Sequence, residues 1–226
     1  MGAWLSLNGA LLIAAYLLGS IPTGYTVGKW LLGIDIREAG SGSTGATNVL
    51  RTLGKWPAVG VLLVDVLKGV SAIILIRYIY SLTFTRQLAT AAGLENTATV
   101  LPGMATLAGF SAVLGHSKSI WLGFTGGKSV ATSLGVLLGL YWPVGLGTFG
   151  IFGIVFAVSR IVSLSSIIGA ISVAGLMFAL HQPLAYVLFG LAGGVFVIVR
   201  HRSNIQRLLN GTEPRIGEKL ETATSD

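Results

Sequence analysis

Apolar residues fill this chain in long blocks, and polar residues gather into a few short interruptions. A helix that crosses a bilayer needs about 20 apolar residues at 1.5 Å rise each. On that measure the blocks predict seven spans, at about residues 7–32, 57–80, 98–115, 128–142, 144–160, 163–180 and 183–200. The fourth and fifth are parted only around Tyr141-Trp142-Pro143, and the last two by His181-Gln182-Pro183, so both junctions read as tight turns. The pattern therefore predicts an all-α integral membrane protein with seven transmembrane helices. Within the first block, Gly19-Ser-Ile-Pro-Thr-Gly24 predicts a proline kink, with Ser20 or Thr23 satisfying the freed carbonyls.

The charged positions orient the bundle. With seven spans, one face and its flanks collect Lys29, Arg37, Arg51, Lys55, Lys118, Lys128, Arg160, Arg200, Arg202, Arg207, Arg215 and Lys219, whereas the other face holds Arg77 and Arg86. The excess of Lys and Arg marks the cytoplasmic side, which places the N-terminus outside and the C-terminus in the cytoplasm. Residues 81–97 then form a polar external loop with a short helix. Residues 1–213 form the membrane domain and 214–226 a disordered cytoplasmic tail.

Composition narrows the reading further. Charged residues make up 10% of the chain and hydrophobic ones 53%, against roughly 25% charged in a soluble domain. The net charge of +7 fits the cytoplasmic bias and calls for no nucleic-acid partner. The absence of cysteine excludes disulfides and thiolate chemistry. The histidines and carboxylates show no metal-ligand spacing, so neither a metal nor a cofactor is expected. No cleavable signal peptide is read at the start.

Three polar interruptions carry candidate chemistry. Gly40-Ser-Gly-Ser-Thr-Gly-Ala-Thr-Asn-Val-Leu-Arg51 packs glycines 40, 42 and 45 among hydroxyls. Positive φ at those glycines would let consecutive N–H groups surround an anion, with Arg51 adding a planar fork of donors. Gly123-Phe-Thr-Gly-Gly-Lys-Ser129 resembles the end of a P-loop, but Leu122 stands where the motif needs its first glycine and no βα unit surrounds it. ATP binding is therefore rejected. What remains is a glycine turn leading Lys128 to a helix N-terminus, where a bound anion would offset the cation. The third interruption, Arg200-His-Arg-Ser-Asn-Ile-Gln-Arg207 followed by Gly211-Thr-Glu213, puts His201 and Asn204 on one helical face. In the second span, Asp65 and Lys68 also share a face and are expected to pair with each other or to face a polar cavity. The topology brings the three interruptions to one membrane surface, where a single cavity can hold two phosphorylated ligands.

Together, these segments, with Gly19–Gly24 and Asp65-Val-Leu-Lys-Gly69, resemble the acyl-phosphate:glycerol-3-phosphate acyltransferase family (PlsY) from about residue 8 to 213. Two positions depart from the family pattern: Ser43 replaces the usual Asn, and Ser129 the usual Gly. The resemblance implies a bacterial, multi-pass enzyme of the cell (inner) membrane with its active site at the cytoplasmic face. It implies transfer of a fatty acyl group from acyl phosphate to the 1-hydroxyl of glycerol 3-phosphate. The products are 1-acylglycerol 3-phosphate and phosphate, in the first step of phospholipid synthesis. The partners expected are those two substrates and membrane lipid. Gly40, Ser41, Gly42, Ser43, Gly45 and Thr47 are expected to hold acyl phosphate. Arg51, Lys128, Arg160, Ser163, His201 and Asn204 are expected to hold glycerol 3-phosphate, with Ser41, His201 and Asn204 nearest the chemistry. The residues five after His116, His181 and His201 are Trp121, Tyr186 and Gln206, so no His–Asp pair at that spacing supplies a base. A transporter of a phosphorylated solute is the alternative, but it needs polar groups across the whole bilayer.

Overall fold

The computed structural model describes residues 1–217. Those residues form helices α1 (Gly2–Ser20), α2 (Thr23–Leu32), α3 (Ala46–Leu53), α4 (Lys55–Ser81), α5 (Thr83–Ala91), α6 (Thr97–Ser117), α7 (Val130–Ser159), α8 (Val162–Ala179), α9 (Leu184–Arg200) and α10 (Arg202–Leu209). Single turns of 3-10 helix lie at Ile36–Glu38 and Ile120–Leu122. Five stretches are long and apolar enough to cross a membrane: Gly2–Leu32, Lys55–Ser81, Thr97–Ser117, Val130–Ser159 and Val162–Ala179. A sixth appears if α9 and α10, bent by 63°, are taken together. Ile154, Val158, Phe178 and Leu188 point outward, as lipid-facing residues do. The tail expected over 214–226 lies, for residues 218–226, outside the described residues; Ile216 N–H donates to the Arg160 carbonyl at 2.9 Å.

Small residues set the helix spacing. A Cβ on Gly19 would lie 2.0 Å from the Ala112 carbonyl oxygen, and one on Gly115 would lie 2.2 Å from that of Tyr16. Backbone therefore meets backbone between α1 and α6, the close approach that glycine permits in membrane bundles. Gly69 meets Thr132, Gly135 meets Val66 and Gly139 meets Ile73, so α4 and the start of α7 run in parallel.

Two junctions differ from the sequence expectation. The proline in the first span does not kink a continuous helix. It separates α1 from α2, with Ile21 and Pro22 outside both. The carbonyls left there draw donors from other helices and loops and not from the Ser20 or Thr23 hydroxyls, though Thr23 N–H donates to Ile21 O at 3.0 Å. Ser119 Oγ donates to Ser20 O at 2.6 Å and Lys68 Nζ to Ile21 O at 3.1 Å. At Tyr141-Trp142-Pro143 there is no loop but a one-residue break inside α7, where Tyr141 is extended (φ −157°, ψ 100°). A Cβ on Gly145 would lie 2.9 Å from Leu138 N, whereas seven residues of straight helix span about 10 Å. The chain therefore doubles back at this break. Arg77 Nη2 donates to the Leu140 carbonyl beside it at 2.6 Å.

Candidate active site

The first polar segment folds around one buried amide. Asn48, on the first turn of α3, is 1% exposed. Its Oδ1 accepts from Ser41 N–H at 2.7 Å, and its Nδ2 faces the carbonyls of Ile36, Ala39 and Ser43 at 2.9, 3.0 and 2.9 Å. Gly40 and Gly42 take the left-handed φ of 57° and 67° that favours glycine. Gly45 does not: at φ −80° it is extended and caps α3, so that part of the expectation is corrected. The N–H groups of Ser41, Gly42 and Gly45 are bonded to Asn48 Oδ1, Ala39 O and Ser43 Oγ. An anion here meets hydroxyls and the open N-terminus of α3 in place of those three amides.

The second segment is a turn gripped from both sides. Gly127 N–H donates to the His116 carbonyl at 3.2 Å, and Arg200 Nη2 donates to the Gly127 carbonyl at 2.9 Å. Ser129 caps α7 with φ 63°, a conformation that suits glycine better, and its Oγ donates to the Val113 carbonyl at 2.9 Å. The family's usual glycine at this position thus has a backbone reason, and the hydroxyl contact compensates for the serine. Lys128 precedes α7 by two residues and donates to Asn204 Oδ1 at 2.5 Å.

The third segment supplies the partners of Lys128. The chain turns at His201, whose Nδ1 donates to the Val197 carbonyl at 2.7 Å. That contact leaves Nε2 as the free nitrogen. Burial of His201 pushes its pKa down to about 4, so the ring is neutral near pH 7. Asn204 Nδ2 donates to Glu213 Oε1 at 2.6 Å, and Ser163 Oγ donates to the same oxygen at 2.7 Å. Arg207 Nε donates to Glu213 Oε2 at 2.7 Å. Burial works to raise the Glu213 pKa, but bonds from Asn204, Ser163 and Arg207 outweigh it and hold the carboxyl below its usual range. Burial lowers the pKa of Lys128; Glu213 opposes this, while Arg207, Arg51 and Arg200 reinforce it.

These groups share one cavity of about 390 Å³. Its polar end is lined by Ser41, Ser43, Gly45, Thr47, Arg51, Lys128, Ser163, His201, Asn204 and Glu213. Its apolar end passes Leu62, Leu134, Leu137, Phe149, Phe152, Val173 and Phe189. Gly40 and Gly42 shape the loop without lining this cavity. Arg160 is not brought in: it is exposed, left-handed at φ 58°, and touches the C-terminal segment through its carbonyl. Nothing in the sequence marks Asn48 or Glu213 as a hub, because a buried amide or carboxylate in that role looks in sequence like any polar loop residue. The Glu213–Ser163 contact, 50 residues apart, left no sequence signal at all.

The chain is similar to proteins of one family. Residues 9–211 match the family model described as glycerol-3-phosphate acyltransferase. The chain is 63% identical over 224 residues to a glycerol-3-phosphate acyltransferase of Trichormus variabilis (strain ATCC 29413 / PCC 7937), covering 99% of this chain and 98% of that one. It is 58% identical over 226 residues to the protein of that name from Acaryochloris marina (strain MBIC 11017), covering 99% of both. The crystal structure of PlsY, an integral membrane glycerol 3-phosphate acyltransferase, superposes in its glycerol 3-phosphate form with a TM-score of 0.79 at 38% identity, covering 93% of this chain and 96% of that one. Its lysophosphatidic acid form gives 0.77 at 37% identity, covering 93% and 95%.

Proposed function

This chain belongs to the glycerol-3-phosphate acyltransferase family, and we propose that it moves a fatty acyl group from acyl phosphate to the 1-hydroxyl of glycerol 3-phosphate. The products are 1-acylglycerol 3-phosphate and phosphate, in the first step of phospholipid synthesis. The observation that carries this reading is the two-ended cavity, with cations, amide and hydroxyls at one end and a slot between helices at the other. The crystal forms of PlsY with glycerol 3-phosphate and with lysophosphatidic acid support the acceptor and the product class.

The chemistry follows from the groups present. An acyl phosphate is a mixed anhydride, and phosphate leaves readily from it. The enzyme has to place two anions, offset their repulsion and stabilise the tetrahedral oxyanion. Ser41, Ser43, Thr47 and the N-terminus of α3 receive the acyl phosphate headgroup, with the acyl chain in the apolar slot. Lys128 and Arg51 receive the phosphate of glycerol 3-phosphate. Ser163 stands beside them, held by Glu213. Asn204 and His201 Nε2 orient the glycerol hydroxyl. The hydroxyl oxygen attacks the acyl carbon, the carbon–phosphate oxygen bond breaks, and the departing phosphate takes the proton. No protein base takes part.

We place this site at the cytoplasmic face of a seven-crossing bundle in the bacterial inner membrane, with the N-terminus outside. The doubling back of α7 at Tyr141 supports counting it as two crossings, and the clustering of Lys and Arg around the site supports the face. Single cysteines at Ser43 and Ser203 are expected to label from the cytoplasmic side alone, and one at Ala92 from the outside alone. Opposite sidedness for Ser43 and Ser203 would overturn the shared site.

The test of the reaction is purified protein in sealed vesicles with acyl phosphate and glycerol 3-phosphate. Equal amounts of 1-acylglycerol 3-phosphate and phosphate are expected. Flux of glycerol 3-phosphate without product would make the protein a transporter.

A further inference from the structure

Beneath the active-site cations lies a buried ionic group that the mechanism above leaves unused. Asp65 and Lys68 of α4 pair at 2.9 Å with their side chains almost fully buried. Lys68 also ties down Ile21 O at the α1–α2 break. His116 of α6 brings its Nδ1 to 3.7 Å from Asp65 Oδ1. Asp65 and His116 both line the cavity wall. A buried ion pair is weak stabilisation, and apolar residues of like volume replace such pairs at little cost. A contribution to the site gives this group a stronger physical rationale than stability does.

The route from this group to the site is short. The His116 carbonyl accepts from Gly127 N–H, and the ring lies so close that a Cβ on Gly127 would be 2.2 Å from His116 Nε2. Arg200 Nη2 holds the carbonyl of the same peptide, Gly126 O, at 3.4 Å and that of the next, Gly127 O, at 2.9 Å. Lys128 is the next residue. Resting on the reading of Lys128 as a phosphate ligand, we propose that Asp65 and His116 are positioning residues that fix the Gly126–Gly127 turn and so aim Lys128 at glycerol 3-phosphate. Lys68 locks Asp65 in place from the α1–α2 break. The carboxylate orients the imidazole, the imidazole braces the turn, and the turn presents the cation. Neither Asp65 nor His116 exchanges a proton with substrate.

The test combines kinetics with a distance. Spin labels on cysteines at the exposed positions Phe124 and Ser203 report on the turn relative to the third segment, and the chain has no native cysteine to interfere. In the otherwise native protein, one narrow distance distribution is expected. In His116→Ala it should broaden, while KM for glycerol 3-phosphate rises about tenfold to a hundredfold and KM for acyl phosphate stays put. His116→Asn, whose amide nitrogen can take the place of Nδ1 toward Asp65, should restore both readouts in large part, and Asp65→Asn should fall between. A raised KM with an unchanged distribution would mean that His116 touches substrate itself, and would overturn the proposal. So would an unchanged KM, or equal loss toward both substrates. If the native sequence shows no acyl transfer from acyl phosphate, the functional reading fails, whereas the distance distributions still decide whether Asp65 and His116 order the turn.

Discussion

The two glycine-rich turns of the active site reach a defined shape by opposite means. The turn at residues 40–45 is organised from within its own segment: Asn48 holds one N–H and three carbonyls of a stretch no more than twelve residues away. The turn at 123–129 has no such internal hub next to Lys128. Its grip comes from His116 on α6 and from Arg200, 73 residues on, at the end of α9. Lys128 itself is held through Asn204 and, behind it, Glu213. One turn is a local fold that offers hydroxyls to a ligand. The other is a junction that exists only when three helices have packed, so its cation is in place only in the assembled enzyme.

The largest effect is expected where a single residue carries a whole turn. Asn48→Leu leaves the Ser41 N–H and the Ser43 carbonyl without their partner and strips one donor each from the Ile36 and Ala39 carbonyls, which keep a backbone donor; each group left buried and unpaired costs about 1–3 kcal/mol. Acyl transfer should fall at least about a hundredfold through misplacement of the loop, with the helical bundle intact by circular dichroism. If the loss is no greater than that of Arg200→Leu, the contrast between a single hub and a shared grip is wrong.

Lys128→Ala should come next. Removing a charge-assisted contact to phosphate costs about 1.5–3 kcal/mol, roughly tenfold to 150-fold in kcat/KM for glycerol 3-phosphate. Normal turnover at low glycerol 3-phosphate would remove Lys128 from the ligand set.

A smaller effect concerns the far end of that network. The Glu213 carboxyl is held below the usual carboxylate range in the folded protein because its three donors outweigh burial. A lowered pKa gives stability that is fully present above the unfolded value and is lost as pH falls through the folded one. Melting in detergent should therefore show no Glu213 contribution to pH dependence between about pH 6 and 8. Below the ordinary glutamate value of about 4.3 the native sequence should lose stability to acid more steeply than Glu213→Gln. Identical acid profiles would mean that the carboxylate does not tie the third segment to Ser163 and Asn204.

The smallest effect is expected at Ser129. Glycine there relieves about 1 kcal/mol of left-handed strain, and the lost bond to Val113 costs about 1 kcal/mol. Ser129→Gly should leave activity unchanged and shift melting by no more than about 2 °C. A large loss of activity would give the hydroxyl a role toward substrate.

The contrast between the turns also explains what the sequence disclosed. Long apolar blocks disclosed the helices, because bilayer thickness sets a length that composition reveals directly. The polar interruptions disclosed most of the cavity's polar end for the same reason, since polar groups are costly in that setting. Ser41, Thr47, Lys128, His201 and Asn204 were found on that basis. The proline at 22 marked a break, but not which groups satisfy it, because Lys68 and Ser119 arrive from other parts of the fold. Arg160 sits next to the site in the chain, yet it is exposed and lines no part of the cavity. Glu213 was hidden because its value lies in three donors that come from α8 and α10. Local backbone demands and membrane-scale patterning are legible in a single sequence; contacts made only by packing are not.

The central claim is that the site works by positioning two anions, with the leaving phosphate and no side chain taking the proton. The pH–rate profile of His201→Asn beside the native sequence tests it most directly. His201 titrates low, at about 4, whereas a phosphate monoester dianion takes up a proton near pH 6. Reduced activity that keeps the native acidic limb near about pH 6 is the predicted result. Loss of that limb together with all detectable transfer would make His201 the base and contradict the account.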